Sequence, residues 1–596
     1  MRSRFRKGLR ARTMLMVYAS LAMLPSVALA YYIAVFGVNV VFWDEWEMVP
    51  LLEKLNQGRL SITDLISQHN EHRPLFPNLL TLVTEKLTGF NTTVEMFLGW
   101  LLLTLTAGLL LYVYWVKSHK DPKVLLFFLP ASFLLFSFRQ YESVLWGFTS
   151  LEVYLLIFAT AATFTLLDDC QKSARSFVLA LVAATVASFS MVGGLSVWPV
   201  GLLQILMRDR GKDRRQALTW IITWSVVTGV YFYGWVPVAS GPASNYVSYV
   251  FAHPSAGAIY FLSLVGAPLS FSVKTAAVVG STGILISALI LRQARRTNIL
   301  QAGGVFLSLT LFGALSDLLT TVGRSSLGVE LALSSRYTPV TSVGIIGVYL
   351  LASLVVQKSS GAEWKRNRKA KSERSILVNR SVVVRALLVL FLIGLIVPYR
   401  GGWLEGANWR SAREMGAYVL KTYRIQSDES IQTYVYPSAT VVRERAGYLE
   451  QNGLNVFGEP TIVTSSLTSI GSDTYFALET IDGQAVSQMA SPVLIHADQG
   501  GTITITGWAV DKQANATARA VFLTIDGKLD LPTLYGGDRP DVAAAYGNPH
   551  LEYSGYIATF SSLILPKGQH TLSLEIVALN GPYFYYEQDV AYFVLE

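Results

Sequence analysis

The chain is 596 residues long, 52% hydrophobic and only 15% charged, with a mean hydropathy of +0.41. Soluble globular chains carry about 25% charged residues, which argues against a single soluble domain; apolar runs of about 15–25 residues filling positions 14–400 point instead to a polytopic helical membrane protein. The net charge of +8 is a weak nucleic-acid signal because the basic residues collect in short connectors between apolar runs, and the single cysteine, Cys170, excludes an intramolecular disulfide or a cysteine-rich metal site.

The opening MRSRFRKGLRAR holds six basic residues and no acid, which places the N-terminus in the cytoplasm. Ala28-Leu29-Ala30 resembles a signal-peptidase site, but the apolar run continues to Phe36 and is long enough to span a bilayer, so an uncleaved first helix is expected. Further cytoplasmic connectors are expected at 117–123, around Cys170, at 208–215, at 292–296 and at 358–374. Tracing between them gives spans near 14–36, 92–116, 124–138, 144–167, 177–191, 194–207, 217–238, 274–291, 299–322, 337–357 and 382–399: eleven, with the C-terminus outside. Residues 177–207 must cross twice, bending at Gly193-Gly194, and 256–272 lacks a basic loop to receive it, which makes it interfacial or re-entrant. Such irregular segments either border a cavity or reflect a miscounted span.

Beyond Arg400 the composition changes. IQTYVYP (431–437) reads as a strand, and SATVVRERAGYLEQNG as an amphipathic helix closed by Gly453. From about residue 490, alternating segments such as TITITGWAVD and HTLSLEIVALN, with Asp-Gly and Lys-Gly turns, predict an antiparallel β-sandwich of about 100 residues on the outer face. The fold class is thus mainly α: a transmembrane domain over 1–400, an α/β connecting segment over 401–489 and a β-sandwich over 490–596.

Chemistry concentrates in the first exterior loop. Trp43-Asp44-Glu45-Trp46-Glu47 sets three carboxylates among aromatics just after a membrane helix, where acids are costly unless hydrated or paired. Partial desolvation and mutual repulsion suit one of them to act as a general base, and the aromatics to stack on a sugar; an interfacial acidic and Trp belt is the plain alternative. Further along, His69, Glu71, His72 and Arg73 precede Pro74. His72 and Arg73 suit a phosphate; metal ligation and an ordinary turn remain open, and the spacing matches no zinc pattern. Arg139, Arg324, Arg336 and Tyr337 stand at other exterior helix ends, to snorkel to headgroups or to bind a lipid-linked phosphate.

Asp44-Glu45, Asn56-Gln57-Gly58-Arg59 and His72-Arg73-Pro74-Leu75 together resemble the GT-C superfamily of membrane glycosyltransferases, in its protein-mannosyltransferase-like branch, with Arg73 where that branch has the first Pro of a His-Pro-Pro-Leu-type segment. Ser334-Ser335-Arg336-Tyr337 is similar to bacterial envelope proteins of this kind. The resemblance spans roughly 14–400 and rests on short motifs. It implies inverting transfer from a polyprenyl-phosphate-linked sugar to a cell-envelope glycan or lipid acceptor on the outer face of a bacterial inner membrane, in polysaccharide biosynthesis. Asp44 would be the base, supported by Glu45 or Glu47; Trp43 and Trp46 would line the sugar; His72, Arg73, Arg139, Arg324, Arg336 and Tyr337 would serve the donor. Some members use a divalent metal and others do not, so the cofactor stays unknown. Gly507-Trp508, Arg539-Pro540-Asp541 and Ser554-Gly555-Tyr556 resemble carbohydrate-binding-like modules appended to such enzymes, with Trp508, Tyr535 and Tyr556 as a stacking platform or, for Trp508, core. Membrane lipids are expected partners and nucleic acid is not. The rivals are a transporter or flippase of lipid-linked oligosaccharide, for which Asp317 is the one clear charge within a span, and a non-catalytic envelope assembly protein. No glycine-rich phosphate loop and no HExxH occur.

Overall fold

The computed structural model describes residues 2–118, 122–169, 173–208, 214–236, 246–367, 391, 393–471, 474–486, 492–496 and 500–596. Cys170, most of the 208–215 connector, the later part of the 358–374 connector and the start of the expected span at 382–399 lie outside the described residues. The chain divides into two compact units, one of residues 1–37, 57–85 and 92–409, the other of residues 38–56, 86–91 and 410–596. The expected boundary at 400 falls within a single helix, Ile396–Lys421.

The first unit is helical. Among the described residues six helices are long and apolar enough to cross a membrane: α1 (Arg2–Phe36), α2 (Thr92–Lys117), α3 (Gly147–Asp169), α4 (Val273–Arg296), α5 (Gly304–Arg324) and α6 (Thr338–Asn367). An uninterrupted helix satisfies its own backbone groups, which is why long uncharged runs fold this way. Apart from 382–399, which lies largely outside the described residues, the other expected spans are shorter or broken. Around 124–138 a 3-10 turn (Pro122–Phe128) runs into the seven-residue helix Leu129–Leu135. Residues 177–207 form helices Ala174–Ser188 and Val197–Arg208, with a 3-10 turn, Val192–Ser196, at the Gly193-Gly194 bend. Helix Arg214–Phe232 occupies the next segment. The irregular stretch at 256–272 is helix Pro254–Gly266 followed by the turn Ala267–Leu269, and it lies along α4. Tyr32, Phe36, Phe138, Tyr399 and Trp403 pack as one aromatic knot, where the Tyr32 hydroxyl donates to the Gly402 carbonyl at 2.7 Å.

In the second unit, IQTYVYP is not a strand: Asp428–Tyr434 is helical, with the Ser427 hydroxyl accepting from the Ser430 N–H at 3.0 Å and acids at its first turn. Those capping and dipole contributions outweigh the β-branched composition. The following helix, Ala439–Gln451, is capped by Ser438 and closed by Gly453 at φ +59°. Strands begin at residue 468 rather than near 490: β1 (Thr468–Ile470), β2 (Thr474–Ile481), β3 (Gln484–Ala485), β4 (Val493–Ile495), β5 (Thr502–Asp511), β6 (Ala516–Thr517), β7 (Ala520–Ile525), β8 (Leu529–Pro532), β9 (Leu534–Gly537), β10 (Gly555–Ser561), β11 (Gly568–Val577) and β12 (Tyr583–Leu595). They form two six-stranded sheets. One runs β1-β12-β11-β7-β8 with β4 also on β12; the other runs β3-β2-β5-β10-β9 with β6 on β5. Pairing is mostly antiparallel, but β1 and β4 lie parallel to β12. In β5 the threonines alternate with buried Ile503 and Ile505, and these join Ala558 and Phe560 of the same sheet and Leu523, Leu574 and Phe593 of the other in one apolar cluster.

Candidate functional site

The acidic loop lies in the second unit. Trp43–Glu47 is a 3-10 turn whose first free N–H, that of Phe42, donates to the Glu45 carboxylate at 2.9 Å. Glu45 and Trp46 are fully buried. Above the Phe42 ring, 3.4 Å from its centre, lies the buried guanidinium of Arg413, which also donates to the Tyr434 carbonyl at 3.3 Å. Burial brings the Arg413 pKa down to about 10, while the charge of Glu45 works in the opposite direction. Glu47 pairs with Arg445 at 3.0 Å and accepts from the Tyr436 hydroxyl at 3.4 Å; Arg445 also holds the Trp46 carbonyl at 2.6 Å. Tyr436 has a raised pKa, chiefly from burial and then from the charge of Glu47, with a smaller contribution from Asp44.

The three acids therefore do not share one environment. Glu45 and Glu47 each face an arginine; Asp44 is half-buried beside Trp43, which is 41% exposed and sits in the left-handed region at φ +47°. A bulky residue there is strained by about 1–3 kcal/mol, and such strain concentrates at functional positions. Arg413, Tyr436 and Arg445 were not legible as site residues, because they lie several hundred positions from the acids with no local motif to mark them.

The cationic candidates belong to the first unit. His69 and His72 exchange backbone hydrogen bonds at 2.9 and 2.8 Å around Asn70, itself at φ +49°. His72 Nδ1 accepts from the Val192 N–H at 3.2 Å, which puts the proton of the neutral ring on Nε2. Arg73 is buried and donates to three carbonyls, those of Tyr231 at 2.7 Å, Tyr233 at 2.6 Å and Ile66 at 3.0 Å. Its guanidinium closes the C-terminal end of helix Arg214–Phe232 rather than opening to a ligand. Arg139 is likewise a tie: buried, 4.4 Å from the centre of the Phe271 ring, bonded to the carbonyls of Ser270 and Leu333 at 3.0 and 2.5 Å, its pKa lowered by burial.

Arg324 and Arg336 are placed differently. Arg324, ending α5, pairs with Glu71 at 2.8 Å, both side chains part-exposed. Arg336 donates through Nε to the Ser334 hydroxyl at 3.3 Å, and its backbone N–H goes to Glu142 at 3.2 Å; among the described residues no carboxylate pairs with its guanidinium. Tyr337 packs against Tyr260, whose buried hydroxyl, like that of Ser325, has no hydrogen-bond partner among the described residues. Glu142, which organises this turn by also accepting from the Ser334 hydroxyl at 3.1 Å, went unselected in the sequence.

In the β region, Tyr556 is buried with its hydroxyl directed at the Ala477 carbonyl, and Tyr535 is held between Ala509 and Ala518. Of the expected platform, Tyr556 is withdrawn from solvent, while Trp508 and Tyr535 are half-buried. Trp508 packs on the buried cluster of Val510, Val542 and Leu551. Arg539 and Asp541 do pair, at 2.6 Å, and Arg539 also grips Glu479 with two bonds of 2.9 and 2.8 Å. Among the described residues no group of three His, Cys, Asp or Glu side chains is placed to hold a metal.

No protein-family model matches the chain, and no curated protein matches it.

Proposed function

We propose that this chain is an inverting GT-C-type membrane glycosyltransferase, moving a sugar from a polyprenyl-phosphate carrier to an envelope glycan or lipid. The finer architecture belonging to this reading is eleven spans, N-terminus inside, and an exterior β-sandwich. The observation that supports it best is Asp44: a half-exposed carboxylate on a strained turn eight residues after a membrane-type helix, with both acidic neighbours facing arginines. In this reading Asp44 takes the proton of the acceptor hydroxyl as that oxygen bonds to the anomeric carbon. The carbon–oxygen bond to the carrier phosphate breaks, and polyprenyl phosphate leaves with the electron pair. Arg336, whose guanidinium pairs with no carboxylate among the described residues, and Arg324 are the cations best placed in their own unit to receive an anionic phosphate.

The test is transfer by purified full-length protein from radiolabelled polyprenyl-phosphate sugars to envelope extract. Asp44→Asn is expected to lower transfer by about 10²–10⁴-fold with donor binding retained, the usual size of a lost general base. Wild-type-like transfer by that variant overturns the assignment. The transporter reading draws on Asp317, buried within α5 and bonded to the Thr341 hydroxyl at 2.7 Å. It requires that Asp317→Asn abolish movement of lipid-linked substrate across proteoliposomes while Asp44→Asn leaves it intact.

A further inference from the structure

Between α5 and α6 the chain winds through three 3-10 turns, Ser325–Leu327, Val329–Leu333 and Ser335–Tyr337. Successive N–H groups reach back three residues, Gly328 to Ser325 at 3.3 Å, Leu331 to Gly328 at 3.3 Å, Ser334 to Leu331 at 3.1 Å and Tyr337 to Ser334 at 3.2 Å. Gly328, at φ +105°, turns a corner that a side chain would strain. This knuckle sets Arg324 and Arg336 near its two ends. Helix Pro254–Gly266 packs on its flank, where Tyr260 is buried with Leu264, Ala332 and Tyr337. The charges of both arginines act on the Tyr260 hydroxyl.

What the knuckle holds in surplus is hydrogen-bond donors, not charge. Glu71 pairs with Arg324, Glu142 accepts the Arg336 backbone N–H, and Glu330 is exposed on the same turns, against the cations Arg139, Arg324 and Arg336. The hydroxyls of Tyr260, Ser325 and Ser326 are nevertheless shut off from water and have no partner among the described residues. The Arg336 guanidinium is bonded through Nε alone. A buried hydroxyl without a partner is costly and calls for an explanation. Three of them beside two guanidiniums leave room in the bonding scheme for acceptor oxygens. A phosphate group supplies several, with the negative charge that guanidinium forks recognise, whereas each sugar hydroxyl brings a donor with its acceptor.

On Arg324 the acceptor's place is filled from within: a Glu71 carboxylate oxygen lies 2.8 Å from its guanidinium, both side chains part-exposed. We infer that the knuckle is a phosphate site held shut by Glu71, which stands on Arg324 where a phosphate oxygen binds once it is displaced. The incoming phosphate then takes hydrogen bonds from Arg324, Arg336, Ser325 and Tyr260. This rests on the placing of the carrier phosphate at Arg324 and Arg336 in the proposed function, and concerns binding, not transfer. Full-length protein in detergent is titrated calorimetrically with farnesyl phosphate, farnesol and inorganic phosphate. Farnesyl phosphate is expected to bind and farnesol not to. Inorganic phosphate binding as tightly as farnesyl phosphate assigns the site to free phosphate, and weaker binding assigns it to a lipid headgroup. Glu71→Gln removes the competing charge and keeps the shape, so it is expected to tighten farnesyl phosphate about three- to fivefold. Ser325→Ala and Tyr260→Phe are each expected to weaken it about tenfold, the size of a hydrogen bond to a charged group. Without ligand, these two variants delete a buried, unpartnered hydroxyl and are expected to keep or raise the thermal midpoint, which loss of a structural hydroxyl would lower. Farnesol binding as tightly as farnesyl phosphate overturns the inference, as does no gain in Glu71→Gln or unchanged affinity in both hydroxyl variants. Wild-type-like transfer by Asp44→Asn alongside the expected affinity shifts would sink the transfer reading and leave the phosphate site standing.

Discussion

Arg413 shows what the acidic loop costs to build. Its guanidinium is buried over Phe42, with Glu45 buried nearby, and removing one member of such an arrangement leaves the other charge in a poorly solvated place. Arg413→Leu is therefore expected to destabilise the second unit by about 3–5 kcal/mol. Adding Glu45→Gln should recover a substantial part of that loss, read as the coupling in a double-mutant cycle of denaturant unfolding. Additive effects would show that the two groups do not interact. Trp43 makes the opposite prediction. It is exposed and left-handed, so Trp43→Gly removes backbone strain while giving up little buried surface. Its thermal midpoint is expected to rise by the equivalent of about 1 kcal/mol while transfer falls. A lower midpoint would mean that the indole supports the fold rather than a substrate.

Helix pairing, which hydropathy does not register, decides how the irregular segment folds. The stretch at 256–272 lacked a basic loop, yet it folds as a helix against α4 because small residues let the backbones nearly touch. A Cβ added at Gly280 would lie 2.0 Å from the Leu262 carbonyl oxygen, and one at Gly266 would lie 1.9 Å from that of Ala276. Close approach of this kind is how helices pack in lipid, where burial of apolar surface gives no drive to associate. Gly280→Ala is expected to disrupt the pair and lower the yield of folded protein severalfold. Gly283→Ala, on the same helix with nothing within 4 Å of the added carbon, should match wild type and gain slightly from helix propensity. Equal behaviour of the two variants would refute the packing argument. Hydropathy reads apolar length well, hence the six long helices, but it does not register which glycine faces a neighbouring carbonyl. IQTYVYP fails similarly: its β-branched residues mask a helix start whose decisive contact, the Ser427 cap, precedes the segment.

Across the whole molecule, legibility follows sequence distance. The acids at 44–47 and the strand pattern of β5 are local and readable; Arg413, Tyr436 and Arg445 reach the acidic loop only through the fold, and Arg73 and Arg139 look like ligands until their carbonyl partners are known. Pairs both near and distant in sequence also set the acid response of the second unit. Asp541 is held down to about 2 by hydrogen bonds from Arg539, and Glu450 is lowered by Arg424. Burial works to raise Asp526, but bonds from His570 and Thr571 leave it lowered. A carboxylate whose folded pKa lies below its unfolded value stabilises the fold above the unfolded value, near 4, and loses that contribution as pH falls through the folded one. Hydrogen-exchange protection of β5, β10 and β11 in the full-length protein should therefore be level from pH 7 to about 5 and decline between about pH 4 and 2. Arg539→Ala should lower that protection at pH 7 by about 1–2 kcal/mol through its two bonds to Glu479, after allowance for solvent at the glutamate, and should flatten the acid decline as Asp541 returns to ordinary titration. Protection in Arg539→Ala that still falls with the wild-type profile would place the acid sensitivity elsewhere, with Glu450 and Asp526 next to be tested.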